Sequence, residues 1–400
     1  MSGAEEVKFS LKVMINKEKT KVLFAESDGY FVDVLLSFLT LPLGRIVKLF
    51  EKHYGAETPI IGCLNTLCNS IVNLDSLYFR TENAKQILIN PISSFDADCK
   101  RLKLNISDSE PCEIDRDSGV FTIGTTTFII TDDLQIVPKL DQTVSILNIT
   151  ETQGAESLNV TFGLSEIMDL FTASIFSDTP LSDVILGEKR EAKSVKVEYE
   201  CDISQAKNKR KEPEEIVEEM TLRVIVQKST KKFLCARGYN NVIDFLISLV
   251  FIPLGGVERL LAGNTCLKGI DNLYLSLSDP RNNNYFKSPD IKKKLIQSNL
   301  ANAYVYEHHT LFLDFPNSLG KFLKGPGMLS VADDLTIQPF YMSSVICNEH
   351  GISMFDMEEF ELKIGKKEAL NILKASLTSK FALTNGLLNP FINVNVLMET

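Results

Sequence analysis

The chain has 400 residues, of which 44% are hydrophobic and 24% charged, and its formal charge is −10. That length exceeds one ordinary domain, and the composition excludes a collagen, a coiled coil and a wholly disordered chain. Fifty-two acids against 42 basic residues leave no broad cationic surface for general nucleic-acid binding.

The start, Met1–Lys8, is polar and acidic, which suits neither a signal peptide nor a transit peptide. The longest apolar stretches, Tyr30–Leu43 and Val242–Leu254, each contain an Asp and fall short of the roughly 18 residues a spanning helix needs. The expectation is a cytoplasmic protein, with entry to the nucleus by diffusion or import, and no membrane partner. The eight cysteines are scattered. Without a secretory route they read mostly as small core residues.

In chain order, Leu11, Val13 and Ile15 alternate with Lys12, Met14 and Asn16, which predicts a half-buried strand. A polar turn at Lys17–Thr20 and a return strand at Val22–Ala25 complete a β-hairpin, although the turn lacks an Asn-Gly signature. Ser27-Asp28 is placed to cap a helix that carries Phe31, Leu35, Phe38 and Leu39 on one face. Pro42-Leu43-Gly44 breaks that helix and starts another with Ile46, Val47, Leu49 and Phe50. Gly62–Leu77 reads as a third helix, Leu102–Ile106 and Phe128–Ile130 as strands. Leu158, Val160 and Phe162 mark a late strand, and Ile167, Leu170, Phe171 and Ser174 a last helix.

The same order then recurs. Residues 11–50 align without a gap on 222–261, with 13 identities in 40. Thr131–Pro138 meets Ala332–Pro339, and Gly163–Leu186 meets Gly365–Leu388. Three matched blocks in one order predict two homologous copies of one α+β domain, a β-hairpin plus helices with further strands and a C-terminal helix. The expected boundaries are 1–186 and 220–400. Between them, 187–219 reads as a charged flexible linker, with 18 charged residues in 33. Its run Lys207–Lys211, closely followed by acids, is weak support for nuclear import.

The blocks Leu35–Gly44, Asp132-Asp133-Leu134, Asp333-Asp334-Leu335 and Leu373–Leu377 resemble the plant family known as domain of unknown function 674. The resemblance spans nearly everything but the linker. It implies a plant protein of tandem repeats and brings no activity, substrate or catalytic residues. Members of that family carry close cysteine pairs after the first helices, a pattern that would suit a zinc knuckle. This chain has only Cys99 and Cys112 there and no Cys-x-x-Cys anywhere, so no metal or cofactor is expected.

The strongest chemical candidates are the paired acids Asp132/Asp133 and Asp333/Asp334, which could hold Mg²⁺ with a third acid and a phosphate. The plainer reading is a turn, because Asp bonds its own backbone there and no third acid is fixed by spacing. Asp33 and Asp244, inside an apolar helix, are expected on its exposed side or near its start. Pro42-Leu43-Gly44, with Arg45, could form an anion-binding bend, but Gly256 stands where Arg45 would recur. A helix–helix turn is the plainer reading. His308-His309 would point to opposite faces of a strand and cannot easily share a metal. No nucleophile elbow, Walker loop or dinucleotide fingerprint is present.

The balance leans away from an enzyme. The expected function is a non-catalytic protein-interaction or scaffold module whose two copies offer two partner surfaces. The alternative is a small-ligand or nucleotide-binding protein or enzyme with its site between the copies. Nucleic-acid binding through Lys292–Lys294 and the linker comes third.

Overall fold

A computed structural model describes residues 7–106, 119–140, 154–187, 220–297, 322–325, 327–340 and 343–391. The linker with Lys207–Lys211, His308-His309 and Cys112 lie outside the described residues. In the first half of the chain run β1 (Phe9–Ile15), β2 (Val22–Asp28), α1 (Gly29–Ser37), α2 (Leu43–Tyr54), α3 (Leu64–Asn73), α4 (Glu82–Ile89) and the single turn α5 (Asp96–Cys99). They are followed by β3 (Thr127–Thr131), β4 (Ile136–Pro138), β5 (Glu156–Phe162), α6 (Leu164–Phe176) and α7 (Pro180–Ile185). The second half runs β6 (Met220–Gln227), β7 (Phe233–Tyr239), α8 (Asn240–Ser248), α9 (Leu254–Leu260), α10 (Lys268–Ser278) and α11 (Pro289–Gln297). Then come β8 (Met328–Val331), β9 (Ile337–Pro339), α12 (Ser343–His350), β10 (Met357–Ile364), α13 (Lys366–Thr378) and a π turn at Thr384–Leu388. The class is α+β, as expected.

By packing, the chain divides into two units that are not contiguous in sequence. One unit holds 1–41, 93–195 and 253–299; the other holds 42–92, 196–252 and 300–400.

In the first unit the sheet order is β4-β3-β2-β1-β5, every neighbour antiparallel. Val13 lies opposite Ala25 and also opposite Leu158, which fixes the hairpin register and the docking of the late strand. The inward positions Leu11 and Val13 are fully buried, as are Phe31 and Leu35 of α1. Phe31 sits between Phe9, which it meets tilted, and Phe162, which it meets edge-on, each at 5.6 Å, and Phe38 stacks on Phe171 of α6 at 4.3 Å.

The hairpin turn is built by Asn16, whose Oδ1 accepts from the N–H groups of Thr20 and Lys21, both at 2.9 Å. A side-chain clamp replaces the missing Asn-Gly chemistry and tolerates Lys19 at φ 58°. Asp28 caps α1 as expected, accepting from the Phe31 N–H at 3.0 Å. Leu102–Ile106 is not a strand but a turn-rich segment. Leu102 and Ile106 are buried as separate loop anchors while Lys103 lies over the Tyr30 ring at 3.4 Å, so the apolar spacing reflects packing without a ladder.

In the second unit the order is β10-β6-β7-β8-β9, again antiparallel throughout. The two hairpins share a register irregularity at aligned positions, Met14/Ile15 and Ile225/Val226. Leu222, Val224 and Leu246 are buried to within 1% of full burial, and Phe251 packs on Phe322 at 5.3 Å. Ile346 of α12 covers Ile225 and Leu234 on the opposite side of the sheet.

Candidate functional site

Each acid pair closes the turn before β4 or β9, where Leu134 (φ 66°) and Leu335 (φ 63°) take the left-handed conformation. The Asp132 carboxylate is buried and accepts from both the N–H and the hydroxyl of Ser182 at 2.8 Å, which ties the start of α7 to the sheet. Burial raises its pKa while the Ser182 donors pull it down. Asp333 does the same for Thr384, accepting its N–H at 2.7 Å and its hydroxyl at 2.5 Å, with the same opposing influences on its pKa. Asp133 accepts from the Thr131 hydroxyl at 2.6 Å, and Asp334 from the Thr336 N–H at 3.0 Å. Arg45 is half-buried on α2, three residues past Pro42, and its N–H bonds the Pro42 carbonyl at 2.9 Å.

The bends start helices. Pro42 and Pro253 stand as extended N-cap residues before α2 and α9. The first free donor of each helix is already used: Leu43 N–H bonds the Ile252 carbonyl at 3.0 Å, and Leu254 N–H bonds the Leu41 carbonyl at 2.9 Å.

Asp33 and Asp244 correct the sequence reading. They are 1% and 8% exposed, not on a solvent face. Asp33 Oδ2 accepts from Val120 N–H at 2.5 Å, and Oδ1 accepts from Thr122 N–H at 2.7 Å and its hydroxyl at 2.8 Å. Burial pushes this carboxyl up to about 6, against the pull of the Val120 and Thr122 donors. Asp244 Oδ1 likewise accepts from Phe322 and Leu323 N–H, both at 3.2 Å. Each acid pins an incoming loop to an apolar helix. No local pattern reveals this, because the donors lie 78 to 89 positions downstream.

A further buried acid went unnoticed in the sequence. Glu258 is fully buried, and Thr265 Oγ lies 2.9 Å from it and 2.6 Å from Asp271. One hydroxyl proton cannot serve two carboxylates, and burial together with the Asp271 charge holds Glu258 well above the usual carboxylate range.

Free thiols follow the core reading in part. Cys63, Cys99 and Cys347 are buried, Cys68 and Cys235 half-buried, and burial pushes Cys63 and Cys68 up to about 12, which leaves them inert. Cys266 departs from that reading, since it is disulfide-bonded. Among the described residues no three His, Cys, Asp or Glu side chains gather as a metal-binding group, and no helix is long and apolar enough to cross a membrane.

The most conspicuous unspent surface is a fixed turn in the second unit. Just before β10, Met354 and Phe355 are 61% and 95% exposed. Their turn is nonetheless hydrogen-bonded to the β6–β7 hairpin. Asp356 accepts from Gln227 Nε2 at 2.7 Å, from Ser229 N–H at 2.9 Å and from the Ser229 hydroxyl at 2.8 Å, and its carbonyl takes the Lys228 N–H at 2.7 Å. The Gln227 and Ser229 donors hold the Asp356 carboxyl below its ordinary value. Ser353 Oγ accepts the Phe355 N–H at 3.3 Å. An aromatic ring presented outward on a pre-ordered turn loses little entropy on contact, which is the physical profile of an interface anchor. Sequence periodicity missed it because Met-Phe beside a strand reads as core.

The sequence profile of the family described as Protein of unknown function (DUF674) matches residues 5–114, 111–318 and 317–399. No curated protein and no solved structure matches the chain.

Proposed function

For this chain, which belongs to the DUF674 family, we propose a non-catalytic role as a protein-interaction module built from two similar sequence halves, 1–186 and 220–400, joined by 187–219. The observation that carries this reading is the clipped turn that holds Phe355 outward at 95% exposure. The carboxylates of Asp132 and Asp333 support it from the other side, since donors of their own unit occupy both oxygens of each. The partner is a protein with an apolar pocket, met in the cytoplasm or the nucleus.

The test places the photo-crosslinking amino acid benzoylphenylalanine at position 355 of the full chain, with the exposed position Lys268 as control. The reading expects a discrete protein adduct from 355 alone, and its loss when unlabelled wild-type chain competes. Phe355→Asp should leave stability within about 0.5 kcal/mol, as for an exposed site, so loss of capture would not reflect unfolding. Equal adducts from both positions, or none from 355, would refute the interaction reading.

A further inference from the structure

We infer that the two halves of this chain are reciprocal partners: each supplies the helical segment that completes the other's sheet, as in a domain-swapped dimer whose protomers have been joined. The first unit takes its sheet, β1–β5, from the first half and α9–α11 from the second. The second unit takes β6–β10 from the second half and α2–α4 from the first.

The contacts that receive these segments match one for one. In the first unit, α10 docks on β4: Ser276 Oγ accepts the Ile136 N–H at 2.9 Å, and Asn272 Nδ2 donates to the Asp133 carbonyl at 2.8 Å. Gly269 of α10 lies so close to α6 that a Cβ would stand 2.8 Å from the Ser174 carbonyl oxygen. Beyond α10, Ile123 N–H meets Tyr285 O and Lys287 N–H meets Phe121 O, both at 2.9 Å.

In the second unit, α3 docks on β9. Ser70 Oγ accepts the Ile337 N–H at 3.0 Å, and the Thr66 hydroxyl donates to the Asp334 carbonyl. Cys63 N–H bonds the Ser376 carbonyl of α13 at 2.8 Å. Beyond α3, Arg80 N–H meets Phe322 O and Lys324 N–H meets Tyr78 O, both at 2.8 Å. The same serine-to-isoleucine and acid-carbonyl contacts thus recur with donor and recipient halves interchanged.

The crossing points explain the geometry. The chain leaves one unit for the other at Leu41–Pro42 and at Ile252–Pro253. Proline fixes φ and is extended at both places, with ψ 144° and 147°, so the next helix departs from its own hairpin. Exchange of an identical element between copies creates no new type of contact and is therefore a low-cost route to association. The linker becomes a tether that keeps two complementary halves together.

The test uses the full chain with a protease site inserted within 188–219. After cleavage the two fragments should co-elute under native conditions as one species of the uncut size, and dilution should lower the melting temperature only of the cut protein. Carbodiimide then reads the exchange itself. Lys294 on α11 lies 2.6 Å from Asp98, both partly exposed, in the first unit. A zero-length amide between them should therefore join the two cut fragments covalently. Separation of the fragments into two folded species would overturn the inference. So would co-elution without an Asp98–Lys294 cross-link, because halves that merely adhere would keep α11 with its own sheet.

Discussion

Gly62→Ala is expected to destabilise the protein by about 3 kcal/mol or more, through two separate costs. Gly62 has φ +48°, a conformation that costs an L-residue about 1 kcal/mol. Its added Cβ would also lie 2.3 Å from the Ser376 carbonyl oxygen and 2.7 Å from the Leu377 carbonyl carbon, both backbone atoms of α13. Neither can move without displacing the helix, and the adjoining Cys63-to-Ser376 bond would go with it. Gly351 separates the two costs. It has φ +63° with nothing within 4 Å of a built Cβ, so Gly351→Ala should show only the conformational term, about 1 kcal/mol. Urea denaturation of both variants checks the difference, and equal losses would contradict the close approach of α3 to α13.

Asp33→Ala is the second large effect, again about 3 kcal/mol or more at neutral pH. It would strand the N–H groups of Val120 and Thr122 in a buried site, and each orphaned donor costs about 1–3 kcal/mol. The loop around 119–124 should lose hydrogen-exchange protection first, since Asp33 accepts three of the bonds that hold it to α1. Asp33→Asn should fall between, because its amide keeps one accepting oxygen in place of two. The wild-type pH dependence has a definite sign. Burial raises this carboxyl from 3.8 to about 6, so the folded chain binds its proton more tightly than the unfolded chain. The contribution to stability is therefore full below about pH 4, declines as pH rises to about 6 and is constant above. Asp33→Asn should remove that slope.

Local chemistry was readable where its partners are local. The alternation at Leu11, Val13 and Ile15, the Asp28 cap and the proline before α2 each depend on residues a few positions away, and the structure has them as expected. Asp33 was misread because its three donors arrive from a loop almost ninety residues later, and an acid in an apolar helix looks the same whether or not that loop comes. Leu102 and Ile106 carry strand-like spacing but are loop anchors, since burial alone does not supply a hydrogen-bonding neighbour. The turn at Met354-Phe355 was invisible for the opposite reason: nothing in the residue types says that Asp356 and Ser229 fix it facing outward.

The exchange of helices was beyond any pattern in the chain. The apolar stripe of α3 suits the sheet of its own half as well as that of the other, because the two halves present similar residues. The chain turns from one unit to the other at the extended prolines 42 and 253, and a Pro-Leu-Gly segment reads equally well as a tight turn. For the paired acids, spacing predicted a turn but not its use: the Asp133 and Asp334 carbonyls are where the incoming helix is received.

The exchange is tested most directly by amide hydrogen exchange at two isoleucines, read by NMR in the intact chain. Ile136 N–H depends on Ser276, and Ile337 N–H on Ser70. Ser276→Ala should speed exchange at Ile136 and spare Ile337, while Ser70→Ala should do the reverse. If each serine instead protects the isoleucine of its own half, Ser70 with Ile136 and Ser276 with Ile337, the halves are not exchanged.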